Sequence, residues 1–112
     1  MIKEFNEWIL TNLDSQKGKT VIITGANSGI GFYTALGLAK LGATVIVAGR
    51  NKERIDKAIQ AIEKETITGT VSAGIIDLAS LNSVRKFANE FNKTYTKLDI
   101  LINNAGVMMP PE

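Results

Sequence analysis

Apolar residues recur along this chain with two periods that take turns. Thr20-Val21-Ile22-Ile23 is a short run rich in β-branched residues and reads as a strand. Phe32, Ala35, Leu36 and Ala39 then follow at helical spacing, and Gly42 is placed to end that helix as a left-handed cap. Ala43 to Ala48 is apolar almost throughout, as in a parallel strand covered on both faces. Asn51 is a candidate N-cap for a second helix running to about Glu65, with Ile55, Ala58, Ile59 and Ile62 on one face and a Glu53–Lys57 pair on the other. A third strand is expected from Thr70 to Ile76, then a loop at Asp77-Leu78-Ala79. Ser80 is expected to cap a third helix with Val84, Phe87, Ala88, Phe91 and Tyr95 inward. Ile100-Leu101-Ile102 reads as a fourth strand. Strands alternating with helices imply an α/β fold, a doubly wound parallel sheet with right-handed crossovers. The expected strand order is 3-2-1-4, with a ligand crevice at the switch point between strands 1 and 4.

Ahead of this array, residues 2–13 have Ile2, Phe5, Trp8, Ile9 and Leu13 near one helical face. This stripe reads as a helix packing on the domain. A membrane-surface helix would want a basic polar face, whereas Lys3 stands here among Glu4, Glu7 and Asp14. The chain therefore divides into an N-terminal helix and connector over 1–17 and a domain over 18–112.

Composition narrows the chemistry. Hydrophobic residues make up 45% of the 112 positions, enough for a core. Thirteen basic and eleven acidic residues are spread along the chain for a net charge of +2, with no basic run that would address nucleic acid. The chain lacks cysteine and histidine, so disulfides, thiolate metal sites and imidazole bases are excluded and no metal site is expected. No apolar run reaches the roughly 18 residues that suggest a membrane span. A cytoplasmic location is expected.

The candidate chemistry centres on Thr24-Gly25-Ala26-Asn27-Ser28-Gly29-Ile30-Gly31, a glycine loop between the first strand and the first helix. Backbone N–H groups at a helix N-terminus lack helical partners and attract an anion. Glycine lets a phosphate approach them. Asn27 and Ser28 can add side-chain hydrogen bonds, while Gly29, Ile30 and Gly31 open the helix toward a pyrophosphate. The bland alternative is a turn needed only for tight strand–helix packing.

With its T-G-x-x-x-G-x-G loop, Asp77-Leu78 after the third strand and Asn103-Asn104-Ala105-Gly106 after the fourth, the chain resembles the short-chain dehydrogenases/reductases. The resemblance spans residues 18–109. Its wording, Gly-Ala-Asn-Ser-Gly-Ile-Gly with Ala-Gly-Arg-Asn and Ala-Gly-Val-Met, looks most like the retinol dehydrogenase and WW-domain oxidoreductase branch. The resemblance implies a Rossmann-like fold and an oxidoreductase acting on an alcohol/carbonyl pair with a nicotinamide dinucleotide. An epimerase or dehydratase on the same fold is the less favoured relative. The implied cofactor residues are Gly25, Asn27, Ser28, Gly29, Ile30, Gly31, Arg50, Asn51, Asp77, Leu78, Asn104, Ala105 and Gly106.

Arg50 bears on which dinucleotide. A carboxylate about 20 residues beyond the glycine loop holds the ribose hydroxyls of NAD. Arg50 occupies that place, 19 residues after Gly31. A guanidinium there binds a 2′-phosphate, so NADP(H) is favoured over NAD(H). The alternative is a solvated surface arginine. Asp77 either accepts from the adenine amino group, with Leu78 offering its N–H, or only turns the chain. Asn104 either contacts a cofactor ribose or satisfies loop backbone.

The Tyr-x-x-x-Lys pair and preceding serine that serve this family's chemistry have no counterpart, since Tyr33 is followed four residues on by Gly37 and Tyr95 by Asp99. No catalytic residue is therefore assigned. The expectation is a truncated cofactor-binding half, inactive by itself, the alternative being an inert nucleotide-binding module. Its fourth strand would be a bare apolar edge that invites a homo-oligomer.

Overall fold

The β-branched runs are strands and the 3.6-periodic segments are helices in the computed structural model, which describes residues 14–26, 29–65 and 67–103. In chain order the elements are β1 (Thr20–Thr24), α1 (Gly29–Lys40), β2 (Thr44–Gly49), α2 (Lys52–Glu63), β3 (Thr70–Ile75), α3 (Leu81–Thr94) and β4 (Ile100–Asn103). All three strand pairs are parallel, in the order β3-β2-β1-β4. This is the doubly wound, Rossmann-like arrangement that the alternation of periods implied. The helix expected over residues 2–13 lies outside the described residues.

Strand side chains alternate between two faces, and each face meets different helices. Val21, Ile23, Val45 and Val47 point to one side, where Ala35, Leu36 and Ala39 of α1 and Ile55 and Ile62 of α2 close over them. These side chains are almost fully buried, and each large one contributes roughly 1.5–3 kcal/mol. Ile22, Ile46, Ala48 and Ile76 face the other side, against Val84, Phe87, Phe91 and Tyr95. That layer is thinner, because α3 buries no residue completely. Phe87, Phe91 and Tyr95 lie along it in sequence, the last two with ring centroids 4.9 Å apart. Ala88, expected inward, is exposed, since a single helix cannot shield both flanks of its own apolar stripe.

The ends of the helices follow local chemistry. Asn51 Oδ1 accepts the Arg54 N–H at 3.0 Å, and Ser80 Oγ accepts the Ser83 N–H at 3.2 Å. Gly42, at φ 100°, ends α1. One surface expectation is corrected: Lys52 Nζ pairs with Asp56 Oδ2 at 2.7 Å, and the described residues show no Glu53–Lys57 pair. Both pairs have i,i+4 spacing, and exposed pairs of this kind are worth only a few tenths of a kcal/mol, so spacing alone does not choose between them.

Among the described residues, β4 is the last strand on its side of the sheet. Ile100 and Ile102 reach the α1–α2 core, while Leu101 on the opposite face is 63% exposed. Its start is tied to β1 twice. Thr20 N–H donates to Asp99 Oδ2 at 2.8 Å, and Asp99 N–H donates to Thr20 O at 2.9 Å.

Candidate functional site

The C-terminal ends of β1, β2 and β3 open onto one crevice of about 440 Å³. Its floor is the sheet, represented by Thr24, Val47, Ala48 and Ile76. In parallel sheets these ends are where ligands bind, because the loops leave there and helix N-termini converge on them. No group of three or more metal-ligating side chains occurs among the described residues.

The β1 wall comes from the glycine loop. Gly25 (φ 70°) and Gly29 (φ 60°) are both left-handed, a conformation in which other residues are strained. Gly31 serves a different purpose. A Cβ there would collide with the carbonyl oxygen of Gly25, so the hydrogen side chain is what lets the first turn of α1 sit against the loop backbone. The packing reading of the loop thus holds for Gly31. Gly25 and Ala26 line the crevice, while Gly29, Ile30 and Gly31 form the adjoining helical turn and do not. Ile30 turns its side chain to solvent, 82% exposed. Asn27 and Ser28 lie outside the described residues. Thr24 Oγ1 donates to Asn103 Oδ1 at 2.7 Å, which fastens the ends of β1 and β4 together. Asn103 therefore ties neighbouring strand ends. Asn104, Ala105 and Gly106 lie outside the described residues.

The β2 wall carries positive charge. Arg50 and Asn51 follow β2 directly and line the crevice. Arg50 is exposed, and the structure gives its guanidinium no partner among the described residues. Asn51 spends its side-chain oxygen on capping α2, which leaves its amide N–H groups for other use. Arg54, in the first turn of α2, lines the same crevice and was not singled out from the sequence. Its signal was available: it stands three residues past an N-cap at a strand C-terminus, on the turn that faces the strand ends.

The β3 wall is Ile76, Asp77, Leu78 and Ala79. Asp77 is held by three hydrogen bonds. Its N–H donates to Ser83 Oγ at 2.8 Å, its Oδ1 accepts the Ala79 N–H at 2.9 Å, and its carbonyl accepts the Ser80 N–H at 3.0 Å. The chain-turning reading of Asp77 is thus met, while its place on the crevice wall keeps the carboxylate beside any ligand there. Leu78 lines the crevice half-exposed. The crevice has two arginines on one wall and one carboxylate on another.

These features fit the adenosine end of a dinucleotide: space, a loop that admits close approach, and cations at the β2 end. Residues 19–112 match the short chain dehydrogenase family. The chain is 51% identical over 94 residues to human retinol dehydrogenase 13, covering 84% of this chain and 28% of that protein. It is similar to Pseudomonas aeruginosa RhlG, solved as an NADP active-site complex, with a TM-score of 0.73 and 33% identity over 82% of this chain and 36% of that one. It is likewise similar to L-sorbose reductase from Gluconobacter frateurii, solved with NADPH and L-sorbose, with a TM-score of 0.72 and 32% identity over 82% of this chain and 35% of that one. The chain spans under a third of the length of the curated relative it matches.

Proposed function

Because this chain belongs to the short-chain dehydrogenase family, we propose that it supplies the NADP(H)-binding portion of an oxidoreductase that interconverts an alcohol and a carbonyl. The observation that carries the cofactor choice is Arg50, exposed and unpartnered among the described residues, on the crevice wall where NAD-selecting sites place a carboxylate. A carboxylate would repel a 2′-phosphate, whereas a guanidinium meets it with charge and two N–H donors. The relatives solved with NADP and NADPH support the same choice.

The roles of the remaining residues follow. Gly25 gives the pyrophosphate close access to loop backbone, with Asn27, Ser28, Gly29, Ile30 and Gly31 completing that loop and turn. Asn51 offers its amide N–H groups beside the ribose. Asp77 accepts from the adenine amino group, with Leu78 offering its backbone N–H. Asn104 contacts a cofactor ribose, with Ala105 and Gly106 allowing its close approach. The bound cofactor supplies the hydride; the residues of this chain hold and orient it.

The 112 residues contain no Tyr-x-x-x-Lys, so the chain by itself binds without turning over. An inert nucleotide-binding module is the second reading, and the same feature favours it. The exposed β4 edge with Leu101 is a surface for self-association. The cysteine-free composition suits a reducing compartment such as the cytoplasm.

The deciding experiment is a titration of NADPH and NADH against the chain and against Arg50→Glu. NADPH should bind the unmodified chain at least tenfold more tightly, and the substitution should remove or reverse that preference. Equal affinities before substitution, or no change after it, overturn the choice of NADP(H).

A further inference from the structure

α1 is apolar on more sides than the sheet covers. From Gly29 to Lys40 its only charged residue is Lys40. A helix that is hydrophobic all round is buried all round. Ala35, Leu36 and Ala39 meet the core shared with the sheet and α2. At about 100° per residue, Ile30, Tyr33, Gly37 and Leu41 fall on the side turned away from Ala35 and Ala39. Leu41 still belongs to that stripe, because its N–H donates to Gly37 O at 3.1 Å. On a face open to water these positions would be exposed. Instead Gly37 is buried, and Tyr33 and Leu41 are half-buried.

The chain enters the domain beside this stripe. Gln16 N–H donates to Leu41 O at 2.7 Å, and Ser15 Oγ donates to the same oxygen at 3.4 Å. Leu13 is three residues before Gln16, so residues 2–13 end within roughly 10 Å of that anchor. Their apolar positions Ile2, Phe5, Ile9 and Leu13 are spaced three, four and four residues apart, with Trp8 beside them. Ile30, Tyr33, Gly37 and Leu41 have the same spacing. Lys3, Glu4 and Glu7 fall on the side away from the apolar positions, at helical spacing. As a helix the segment would be about 18 Å long, the length of α1. Gly37 has no side chain, and a small residue at a helix contact leaves room for a large one opposite.

We infer that residues 2–13 form a helix lying parallel to α1, with Phe5 against Tyr33, Ile9 over Gly37 and Leu13 against Leu41. The direction follows from the anchor at Leu41: β1 runs from that end of the sheet to the glycine loop, and α1 runs back. A second copy of the chain carries the same stripe, but the tethered segment reaches the face at an effective concentration on the order of millimolar. The docked segment braces, from outside, the helix whose first turn adjoins the crevice. It does so whichever ligand the crevice takes.

Trp8 is the single tryptophan of the chain and lies in the segment, so its emission reports on the segment alone. Emission and acrylamide quenching are measured for the unmodified chain, Ile9→Glu, Gly37→Glu, Gly37→Leu and the double variant Gly37→Leu with Ile9→Ala, each checked for folding by circular dichroism. In the unmodified chain Trp8 should emit to the blue of N-acetyltryptophanamide and be quenched several-fold less, with no change on dilution. Ile9→Glu should raise quenching to the free value while the sheet domain melts as before, because detaching a terminal segment is a local opening. Gly37→Glu and Gly37→Leu should do the same. The φ of Gly37 is not left-handed, so a side chain there fills the space beside the helix without straining the backbone. Ile9→Ala should restore part of the shielding in the presence of Gly37→Leu. Free quenching in the unmodified chain overturns the proposal. Shielding that disappears on dilution overturns it and assigns the face to a second copy. Shielding lost in Ile9→Glu but kept in both single Gly37 variants overturns it and puts the segment elsewhere on the domain. No rescue in the double variant overturns the pairing of Ile9 with Gly37.

Discussion

Gly31→Ala sets two physical effects against each other, and they differ in sign. Gly31 is the third residue of α1, and its φ is not left-handed. By helix propensity alone, alanine should stabilise α1 by up to about 1 kcal/mol. The structure argues the opposite. The added Cβ would overlap the Gly25 carbonyl oxygen and stand 2.9 Å from Gly25 C and 3.1 Å from Ala26 Cα. All three are backbone atoms, so no side-chain rotation relieves the clash. The loop cannot easily retreat, because Ala26 is 1% exposed and the preceding Thr24 is fastened to Asn103. The helix cannot easily withdraw either, because Ala35 and Leu36 one turn on are wholly buried. Overpacking of this kind costs about 1–3 kcal/mol. Combined with the propensity gain, the expected net is a loss of about 0–2 kcal/mol, with its centre near 1. For a domain near this size each 1 kcal/mol lowers Tm by roughly 4–8 °C. Urea unfolding followed by circular dichroism reads the free energy, and a thermal melt checks it. NADPH affinity should fall at the same time, because the loop is displaced. A variant more stable than the unmodified chain, with NADPH affinity retained, would refute the close-packing account of Gly31.

Two other outcomes are expected. The Asp99 carboxyl is held below the usual aspartate range, chiefly by the Thr20 N–H, with the charges of Lys97 and Lys19 assisting and partial burial opposing. A lowered folded-state pKa stabilises at pH values above the unfolded value and is lost as pH falls through the folded one, so unfolding followed from pH 7 to 2 should show an acid-side loss below about pH 4 that Asp99→Asn flattens; an unchanged acid limb in the variant would count against this. Leu101→Lys should leave stability within about 0.5 kcal/mol, because the site is exposed, yet reduce self-association measured by light scattering; a clean monomer of the unmodified chain at high concentration would remove the β4 edge as an interface.

Much of the fold could be read from residues that act on their neighbours. The β-branched run at 20–23 and the helical spacing of Ala35, Leu36 and Ala39 each need only a few consecutive positions to declare themselves. Asn51 and Ser80 as caps are equally local, since each bonds an N–H three residues on. The strand order followed from handedness rules acting on that alternation. The sequence points to Glu53–Lys57 where the structure pairs Lys52 with Asp56, because both pairs have the same spacing and nothing local separates them. Arg54 went unremarked because its importance depends on which turn of α2 faces the strand ends, and a helical repeat alone does not state that.

The sequence by itself determined the element order, the parallel sheet, the glycine loop at the end of the first strand and the cation after the second. Each is a property of short windows, where backbone preference and hydrophobic period dominate. Only the tertiary structure decided what the side chains at those places do. Gly31 is required by the Gly25 backbone, Asp77 is occupied in turning the chain into α3, and Arg50 and Arg54 line one space. Thr24 and Asn103 meet across 79 positions of sequence. Such contacts exist only after the sheet has brought distant strand ends together, so no local pattern encodes them.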